Sequence, residues 1–295
     1  MTPDLSIVLA VEGGAERLSD VLLALAPQCD AGVEVLVCFS ADQQGVVEAC
    51  SALPGARAIA GERGALIPHL WRDGILAARG DRVALSIVHC RPMPGWVAGL
   101  RAADLQNNAG IGGALENAPD SDVMGWAIFL LRYLHYLPPF AAHETSDLAA
   151  DNAVYDRAAV LKYSAAFADG FWEPEIHRLL LREGRRLRLD PSLLSQHVNG
   201  YSALGFARQR LMHGTRFGFD RARKMSSARR VVQLLASPAV PLIFGSKIAK
   251  AAWARPDVRG HLLPAVPYLA FFIHAWALGE ARGTLRALIH DDAGA

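Results

Sequence analysis

Cysteine and lysine are both scarce in this sequence. Of its 295 residues only four are cysteines, with no C-x-x-C spacing among them, and only four of the 30 basic residues are lysines. So few cysteines exclude a secreted disulfide scaffold and predict reduced thiols in a cytoplasmic setting. The formal net charge is only +1, which argues against a globally basic nucleic-acid-binding protein, so we expect no nucleic-acid partner.

A signal peptide and a dinucleotide-binding motif are missing as well. Residues 1–4 lead directly into a short apolar run, without the basic region and long apolar stretch of a signal peptide, so we expect no translocation. Gly13 and Gly14 follow that run without a G-x-G-x-x-G pattern, which argues against a hydride-transferring dinucleotide enzyme. The composition, 52% hydrophobic and 20% charged, predicts a sizeable core in one large or two small domains.

The small net charge hides a strong asymmetry along the chain. Residues 201–260 contain twelve Arg and Lys residues but only two Asp, a net charge of +10, whereas residues 1–200 carry −8 and residues 261–295 carry −1. We therefore expect two regions, an acidic domain at residues 1–200 and a basic, apolar region at residues 201–295.

The acidic domain shows short apolar runs that alternate with amphipathic segments. The runs at 5–10, 34–39, 56–60 and 82–88 predict strands, and the segments at 15–26, 43–52 and 65–78 predict helices. This alternation predicts an α/β fold with a parallel, doubly wound sheet. Ligands of such sheets bind at the carboxyl ends of the strands, so the loops around residues 10–14, 39–42 and 86–96 are the informative ones.

Several short motifs follow one another between residues 4 and 285. They include Arg63-Gly64, Asp73-Gly74-Ile75, Pro92-Met93-Pro94-Gly95-Trp96, Gly112-Gly113, Asn152 with Arg157, Trp172-Glu173 and His197. Their order resembles that of family 2 glycosyltransferases. The resemblance implies a GT-A fold, which is Rossmann-like with a mostly parallel sheet, and a hexosyltransferase-type enzyme that uses a nucleotide-sugar donor.

The resemblance places Trp172-Glu173 where the family has its catalytic acidic pair. An inverting transfer needs a general base to take the proton of the acceptor hydroxyl, and Glu173 is the candidate, with Glu175 as the alternative. Glu173 is equally suited to opening a helix, where a carboxylate favours the positive end of the dipole. Trp172 is expected either to stack on an acceptor sugar or to lie in the core.

The sequence departs from the family at the metal-binding motif. At the end of the predicted strand 82–88, Ile87-Val88 replaces the acidic pair whose oxygens would hold Mg²⁺ or Mn²⁺. His89 is left as a candidate ligand for a metal or for the diphosphate, and His197 is a second, weak metal candidate. The alternatives are metal-free donor binding and loss of catalysis.

Other candidate donor and acceptor residues follow from the same resemblance. Phe39 and Ser40 stand where the family has acidic base-binding residues, and nearby Asp42 is expected to substitute. The donor-binding candidates are Glu12, Asp42, Arg63, Arg72, His89 and Arg91, the arginines as neutralisers of the diphosphate. The acceptor or phosphate candidates are Asn152, Arg157, Arg210, His213 and Arg216. A solvated basic face is the other interpretation of the last three.

The C-terminal region contains two apolar stretches at residues 231–244 and 261–279. Pro238 and Pro241 interrupt the first, which is too short to span about 30 Å of hydrocarbon, and Pro264 and Pro267 interrupt the second. Basic residues flank the first stretch, which favours helices lying on an anionic membrane surface. A transmembrane hairpin and a helical subdomain or dimer interface are the alternatives.

Together these features favour an inverting glycosyltransferase on the cytoplasmic face of a bacterial cell membrane. It would move a sugar from a nucleotide-sugar donor to a lipid-linked or polysaccharide acceptor of the cell envelope, and a homo-oligomer is a candidate state. The missing acidic pair motivates the alternative of a catalytically inactive glycosyltransferase-like scaffold in a polysaccharide or lipid assembly complex.

Overall fold

The computed structural model describes residues 2–12 and 15–291. The chain divides into two compact units. The first unit comprises residues up to 118 together with 136–200, and the second comprises 119–135 together with the chain from 201 onwards. The segment 119–135, which lies inside the predicted domain 1–200, belongs to the second unit.

The first unit contains a nine-stranded sheet within the described residues. Its strands are β1 (Leu5–Val11), β2 (Val33–Ser40), β3 (Arg57–Gly61), β4 (Arg82–Ile87), β5 (Cys90–Pro92), β6 (Asn108–Asn117), β7 (His143–Thr145), β8 (Asn152–Asp156) and β9 (Arg186–His197). The order is β3-β2-β1-β4-β8-β6-β9-β5, with β7 also paired to β9. The pairs β1–β2, β2–β3, β1–β4 and β6–β9 are parallel, and β8 is antiparallel to both of its neighbours.

The helices divide between the two units. Those of the first unit are α1 (Glu16–Leu25), α2 (Val46–Ala49), α3 (Ile67–Ala77), α4 (Trp96–Ala102), α6 (Arg157–Leu161) and α7 (Glu173–Arg182). Those of the second unit are α5 (Val123–Arg132), α8 (Ala203–Arg223), α9 (Ser227–Ala236), α10 (Val240–Trp253) and α11 (Arg259–Asp291). The α/β fold with a C-terminal helical region is therefore confirmed, and the antiparallel β8 is an addition to the predicted arrangement.

The sheet core explains why the apolar runs were informative. Every residue of β1 is buried, as expected for a strand covered on both faces. Helix α1 covers one of those faces with Leu18, Val21, Leu22 and Leu25, the residues at helical spacing. We use "carboxyl edge" for the edge where β1, β2, β3 and β4 end together, since Ala10 is in register with both Cys38 and Ile87.

In the second unit, α8 and α11 pack through glycines at four-residue spacing on both helices. A Cβ atom at Gly214 or Gly218 would overlap backbone atoms of Trp276 and Glu280, and one at Gly279 or Gly283 would overlap those of Leu211 and Thr215. Because each glycine meets the backbone of the other helix, the two axes approach closely.

The apolar stretches form longer helices than the prolines suggested. The helical segments over 227–253 and 259–289 are each long and apolar enough to cross a membrane. Pro238 and Pro241 stand in the first turns of a 3₁₀ helix and of α10, where a missing N–H costs little. The expectation that the first stretch is too short was therefore wrong, since 27 helical residues extend about 40 Å.

Candidate functional site

The loops after β2 and β3 meet at the carboxyl edge around Ser40. The Ser40 hydroxyl donates to the Asp42 carboxylate, accepts from the Gly64 N–H at 2.7 Å and lies 3.0 Å from the Glu62 carbonyl oxygen. The Gly64 N–H also approaches Asp42 at 3.2 Å. These bonds tie the two loops together and leave Asp42 exposed.

The same contacts keep the Asp42 carboxyl ionised at this corner, by which we mean the joined loops after β2 and β3. The hydrogen bond from Ser40, followed by that from the Gly64 N–H, lowers the pKa of the Asp42 carboxyl, and the Arg63 charge adds to the effect. Arg63 is exposed on the loop after β3. The corner therefore presents an ionised carboxylate as a hydrogen-bond acceptor beside a guanidinium that can meet a phosphate.

The ends of β1 and β4 meet through His89. Its imidazole Nε2 lies 3.2 Å from the backbone carbonyl oxygen of Glu12, and the ring faces Gly200, where a Cβ would come within 2.7 Å of it. The backbone of Asn199, beside that glycine, accepts a bond from Arg17 at 2.9 Å. The structure thus places Glu12 and His89, both predicted donor-binding residues, side by side at the carboxyl edge.

The residues at the end of β4 do not fit Mg²⁺ or Mn²⁺. Ile87 and Val88 are buried and apolar, and hard cations need several oxygen ligands. His197 pairs with Cys90, the residue after His89, and the Val198 N–H donates to the His89 carbonyl at 2.8 Å. The Nδ1 of His197, however, approaches Asn117 Oδ1 at 3.3 Å. No group of three or more His, Cys, Asp or Glu side chains that could hold a metal ion occurs among the described residues.

Two predicted donor arginines have protein partners. The Arg72 guanidinium contacts the Asp73 carboxylate at 2.7 Å and donates to the Ala168 carbonyl at 3.0 Å, so it ties α3 to the loop before α7. Exposed Arg91, on β5, donates to the side-chain oxygen of Gln196 on β9. We therefore treat Arg72 as a structural residue, whereas Arg91 remains a donor-site candidate.

The Trp172-Glu173 segment lies against the first turn of α3. The Phe171 N–H donates to the Pro68 carbonyl at 2.7 Å, and the rings of Trp172 and His69 meet edge to face with centroids 6.3 Å apart. Helix α3 follows the loop after β3, so this contact brings Glu173, the first residue of α7, to the carboxyl edge. The indole N–H of half-buried Trp172 donates to the Asp169 carbonyl at 2.9 Å.

The charges of three acidic residues, Glu173 among them, act on two tyrosines. Burial raises the pKa of both Tyr136 and Tyr155, and the negative charges of Glu173, Asp147 and Asp151 raise them further. Both phenols therefore stay protonated and can act as hydrogen-bond donors.

Two acceptor candidates require correction, Asn152 at the start of β8 and Arg157 just after its end. Asn152 is buried, and its amide donates to the carbonyls of Ala114 and Leu193 at 2.8 and 2.9 Å while its oxygen accepts from Trp96 at 2.7 Å. This side chain is used entirely within the sheet, so we assign it a structural role.

Arg157 lies at the wrong end of the sheet for its predicted role. Because β8 is antiparallel to β4, Asn152 is opposite Ser86 near the carboxyl edge, whereas Asp156 is opposite Arg82 at the other edge. Arg157 follows Asp156 there and its N–H donates to the Asp81 carbonyl at 3.0 Å. It therefore does not share an edge with the donor candidates.

The three other acceptor candidates belong to α8 in the second unit. Arg210 donates to Gln209 at 2.7 Å and lies over the rings of Phe206 and Trp276, at 5.0 and 5.7 Å from their centroids. Arg216 forms an ion pair with Asp220 at 2.6 Å, and His213 is half-buried. None of these contacts tests acceptor binding, so the acceptor role of Arg210, His213 and Arg216 stays a prediction.

Sequence reasoning missed Asp147, Asp151, Tyr155 and His177. The available signal for His177 was its position four residues after Glu173, on the same face of an amphipathic helix. Asp147 also lines a surface cavity of about 520 Å³ together with Pro174 and Arg178. Another cavity, of about 440 Å³, is lined by Asp104, Asn108 and Arg188 and contains none of the predicted site residues.

Comparison with known proteins identifies the fold. No protein-family model and no curated protein matches the sequence. The structure is similar to the mannosyltransferase PcManGT from Pyrobaculum calidifontis, solved in complex with GDP-Man and Mn²⁺, with 14% identity over 95% of this chain and 87% of that chain and a TM-score of 0.54. A mycobacterial protein gives 17% identity over 72% of this chain and 73% of that chain, with a TM-score of 0.47 that supports no argument. The predicted GT-A-like fold is thus confirmed.

Proposed function

We propose that the protein is a glycosyltransferase that uses a nucleotide-sugar donor and inverts the anomeric centre. The observation that carries the proposal is the contact of Phe171 with Pro68 at 2.7 Å, which brings Glu173 to the edge of the sheet that holds Asp42, Arg63 and His89. Folds of this kind bind ligands at that edge. The similarity to PcManGT supports the same assignment at the level of the fold.

In the proposed reaction Glu173 acts as the general base. Its carboxylate takes the proton of the acceptor hydroxyl while that oxygen bonds to the anomeric carbon, and the bond from that carbon to the nucleoside diphosphate breaks on the opposite face. Asp42 holds the donor base as a hydrogen-bond acceptor. Arg63 and Arg91 neutralise the diphosphate, which suits a strand end where Ile87 and Val88 offer no oxygen ligand.

Donor binding is the direct test of this proposal. Isothermal titration calorimetry with a panel of UDP- and GDP-sugars, each with Mn²⁺ and with EDTA, should find at least one donor that binds with Kd below about 1 mM, the usual upper range for enzyme substrates. Binding should be the same in both buffers. If no nucleotide sugar binds in either buffer, the enzyme assignment is wrong.

The second unit supports a lipid-linked acceptor and a peripheral position on the inner face of the cell membrane. Apolar side chains are exposed along α9, α10 and the first half of α11, including Leu235 at 77%, Leu242 at 76% and Trp253 at 63%. We call these helix surfaces the apolar face. Exposed Arg229, Lys247, Lys250 and Arg259 accompany it, as in helices that lie on anionic lipid.

Packing against α8 favours this position over a transmembrane hairpin. Phe206 of α8 meets Phe272 of α11 with ring centroids 4.7 Å apart, and Arg221 of α8 forms an ion pair with buried Glu280 of α11. A crossing needs about 20 residues, so α11 would draw the basic helix α8 into hydrocarbon, which is costly. Lying in the interface avoids that cost.

Vesicle binding distinguishes these arrangements. The protein should sediment with vesicles that contain phosphatidylglycerol and stay in the supernatant with vesicles of phosphatidylcholine alone. Added salt should release the bound protein. The double substitution Leu235→Glu and Leu242→Glu should abolish binding, whereas Leu204→Glu on α8, equally exposed at 74%, should not. Retention of the protein in carbonate-washed cell membranes would instead support a spanning hairpin.

The end of β4 favours a second candidate function, a catalytically inactive scaffold. Ile87 and Val88 offer no oxygen ligand, and His89 is turned to the protein's own backbone at Glu12. A scaffold would keep its cellular role when Glu173 is changed to Gln. Loss of that role in the same variant would exclude the scaffold.

A further inference from the structure

A hydrogen-bonded chain of three side chains runs from the sheet to the surface beside Glu173. The Tyr155 hydroxyl lies 2.9 Å from Nε2 of His177, and Nδ1 of His177 lies 2.6 Å from a carboxylate oxygen of Asp147. Tyr155 is fully buried, His177 is 1% exposed and the Asp147 side chain is 55% exposed. These two hydrogen bonds therefore link Tyr155 on β8, His177 on α7 and Asp147 in the loop that precedes β8.

The partners determine which nitrogen of His177 carries the proton. A carboxylate only accepts hydrogen bonds, so Nδ1 is the protonated nitrogen and donates to Asp147. In the neutral imidazole Nε2 is then the acceptor and receives the hydrogen bond of the Tyr155 hydroxyl. Burial, followed by the nearby charge of Glu173, raises the pKa of Tyr155, which keeps that hydroxyl protonated and able to donate.

The sheet is built to hold Tyr155 in this place. Gly110 of β6 is directly opposite Tyr155, and a Cβ at Gly110 would come within 2.7 Å of the tyrosine ring. The rings of Tyr155 and His177 stack with centroids 5.9 Å apart and planes at 22°. The position of His177 is thus fixed by a ring contact as well as by two hydrogen bonds.

The hydrogen bonds of His177 fix the rotation of α7 about its axis, and Glu173 is the first residue of that helix. His177 is four residues after Glu173 in α7, so the two side chains leave the same face of the helix one turn apart. Rotating α7 to swing Glu173 away would break both bonds of His177. A catalytic group misplaced by about 1 Å can lose on the order of 10²-fold in rate.

We propose that Asp147, His177 and Tyr155 form a positioning chain that holds Glu173 in its reactive orientation. In this proposal the three side chains act through the orientation of α7 and not on the reacting atoms. The inference rests on the proposed function, because Glu173 must be the base for its orientation to affect rate. It predicts losses in kcat rather than in donor binding.

The tautomer is tested without any substrate. Nitrogen-15 NMR of histidine-labelled protein at pH 8 should show His177 protonated at Nδ1, with Asp147→Ala shifting the tautomer mixture towards Nε2. Protonation at Nε2 in the wild-type protein would overturn the chain. Because this measurement needs no transfer activity, it separates failure of the chain from failure of the proposed function.

The kinetic test compares substitutions along the chain. His177→Phe and Asp147→Ala should lower kcat on the order of 10- to 100-fold and leave donor Kd unchanged, and His177→Asn, which keeps a donor to Asp147, should recover part of the loss. Glu144→Gln, an exposed acid on β7, is the control. If His177→Phe does not fold, Asp147→Ala remains as the test, because Asp147 is exposed. An unchanged kcat in that folded variant would refute the inference.

Discussion

The backbone N–H of Phe171 donates to the carbonyl of Pro68 at 2.7 Å. This single bond joins two segments about a hundred residues apart, the loop before α7 and the first turn of α3. The guanidinium of Arg72, which donates to the Ala168 carbonyl at 3.0 Å, reinforces it. Glu173 therefore stands beside the loop that carries the donor-site candidates, although nothing in its local sequence places it there.

Substitution of Asp42 should weaken donor binding. Asp42→Asn removes the ionised acceptor that Ser40 and the Gly64 N–H hold in place, and a charged hydrogen bond contributes about 1.5–3 kcal/mol. Calorimetry should therefore show donor Kd rising by about 10- to 100-fold. Asp20→Asn, an exposed acid on α1, should bind the donor as the wild-type protein does, and equal affinities in both variants would remove Asp42 from the site.

Substitution of Gly218 should destabilise the second unit. A Cβ in Gly218→Ala would overlap the carbonyl oxygen of Glu280, and overpacking of this kind costs about 1–3 kcal/mol. Gly260→Ala in α11 has no atom within 4 Å of the new Cβ and should leave stability unchanged or slightly raised. Urea unfolding followed by circular dichroism measures both, and identical midpoints would contradict the close packing of α8 and α11.

Glu34 should contribute stability that depends on pH. Burial favours its neutral form, but bonds from Ser6 Oγ at 2.6 Å and from the Arg79 guanidinium at 3.0 Å prevail, so the pKa of Glu34 is lowered in the folded state. Its contribution is therefore complete above the unfolded-state pKa of about 4.3 and is lost as the pH falls through the lower folded-state value.

Glu34→Gln should consequently cost about 1–3 kcal/mol of unfolding free energy at pH 7. The difference from wild type should shrink as the pH is lowered below about 4. Glu48→Gln, an exposed residue of α2, is the control. A difference that grows towards low pH would contradict the direction of the shift.

The first half of the fold could be predicted because its signals are local. The fully buried strand β1 appears as an unbroken apolar run, and the buried face of α1 repeats at helical spacing. The loops at the ends of β1, β2 and β4 were therefore placed at one edge from the sequence alone. Asp42 and His89, which the family resemblance singled out, lie in those loops.

The second half could not be predicted because it depends on pairing between distant segments. The direction of β8 decides that Asn152 and Arg157 lie at different ends of the sheet, and no pattern within the strand encodes its direction. Asp147, Tyr155 and His177 come together only through tertiary contacts. Pro238 and Pro241 misled because a proline at a helix start and one that breaks a helix look alike in sequence.

Glu173→Gln is the measurement that tests the account most directly. The variant keeps the shape of the side chain and removes the base, so single-turnover transfer from the bound nucleotide sugar should slow by about 10²- to 10⁴-fold with donor Kd unchanged. Glu175→Gln tests the alternative base, and Glu183→Gln at the other end of α7 serves as the control. Transfer at the wild-type rate by Glu173→Gln would contradict the account.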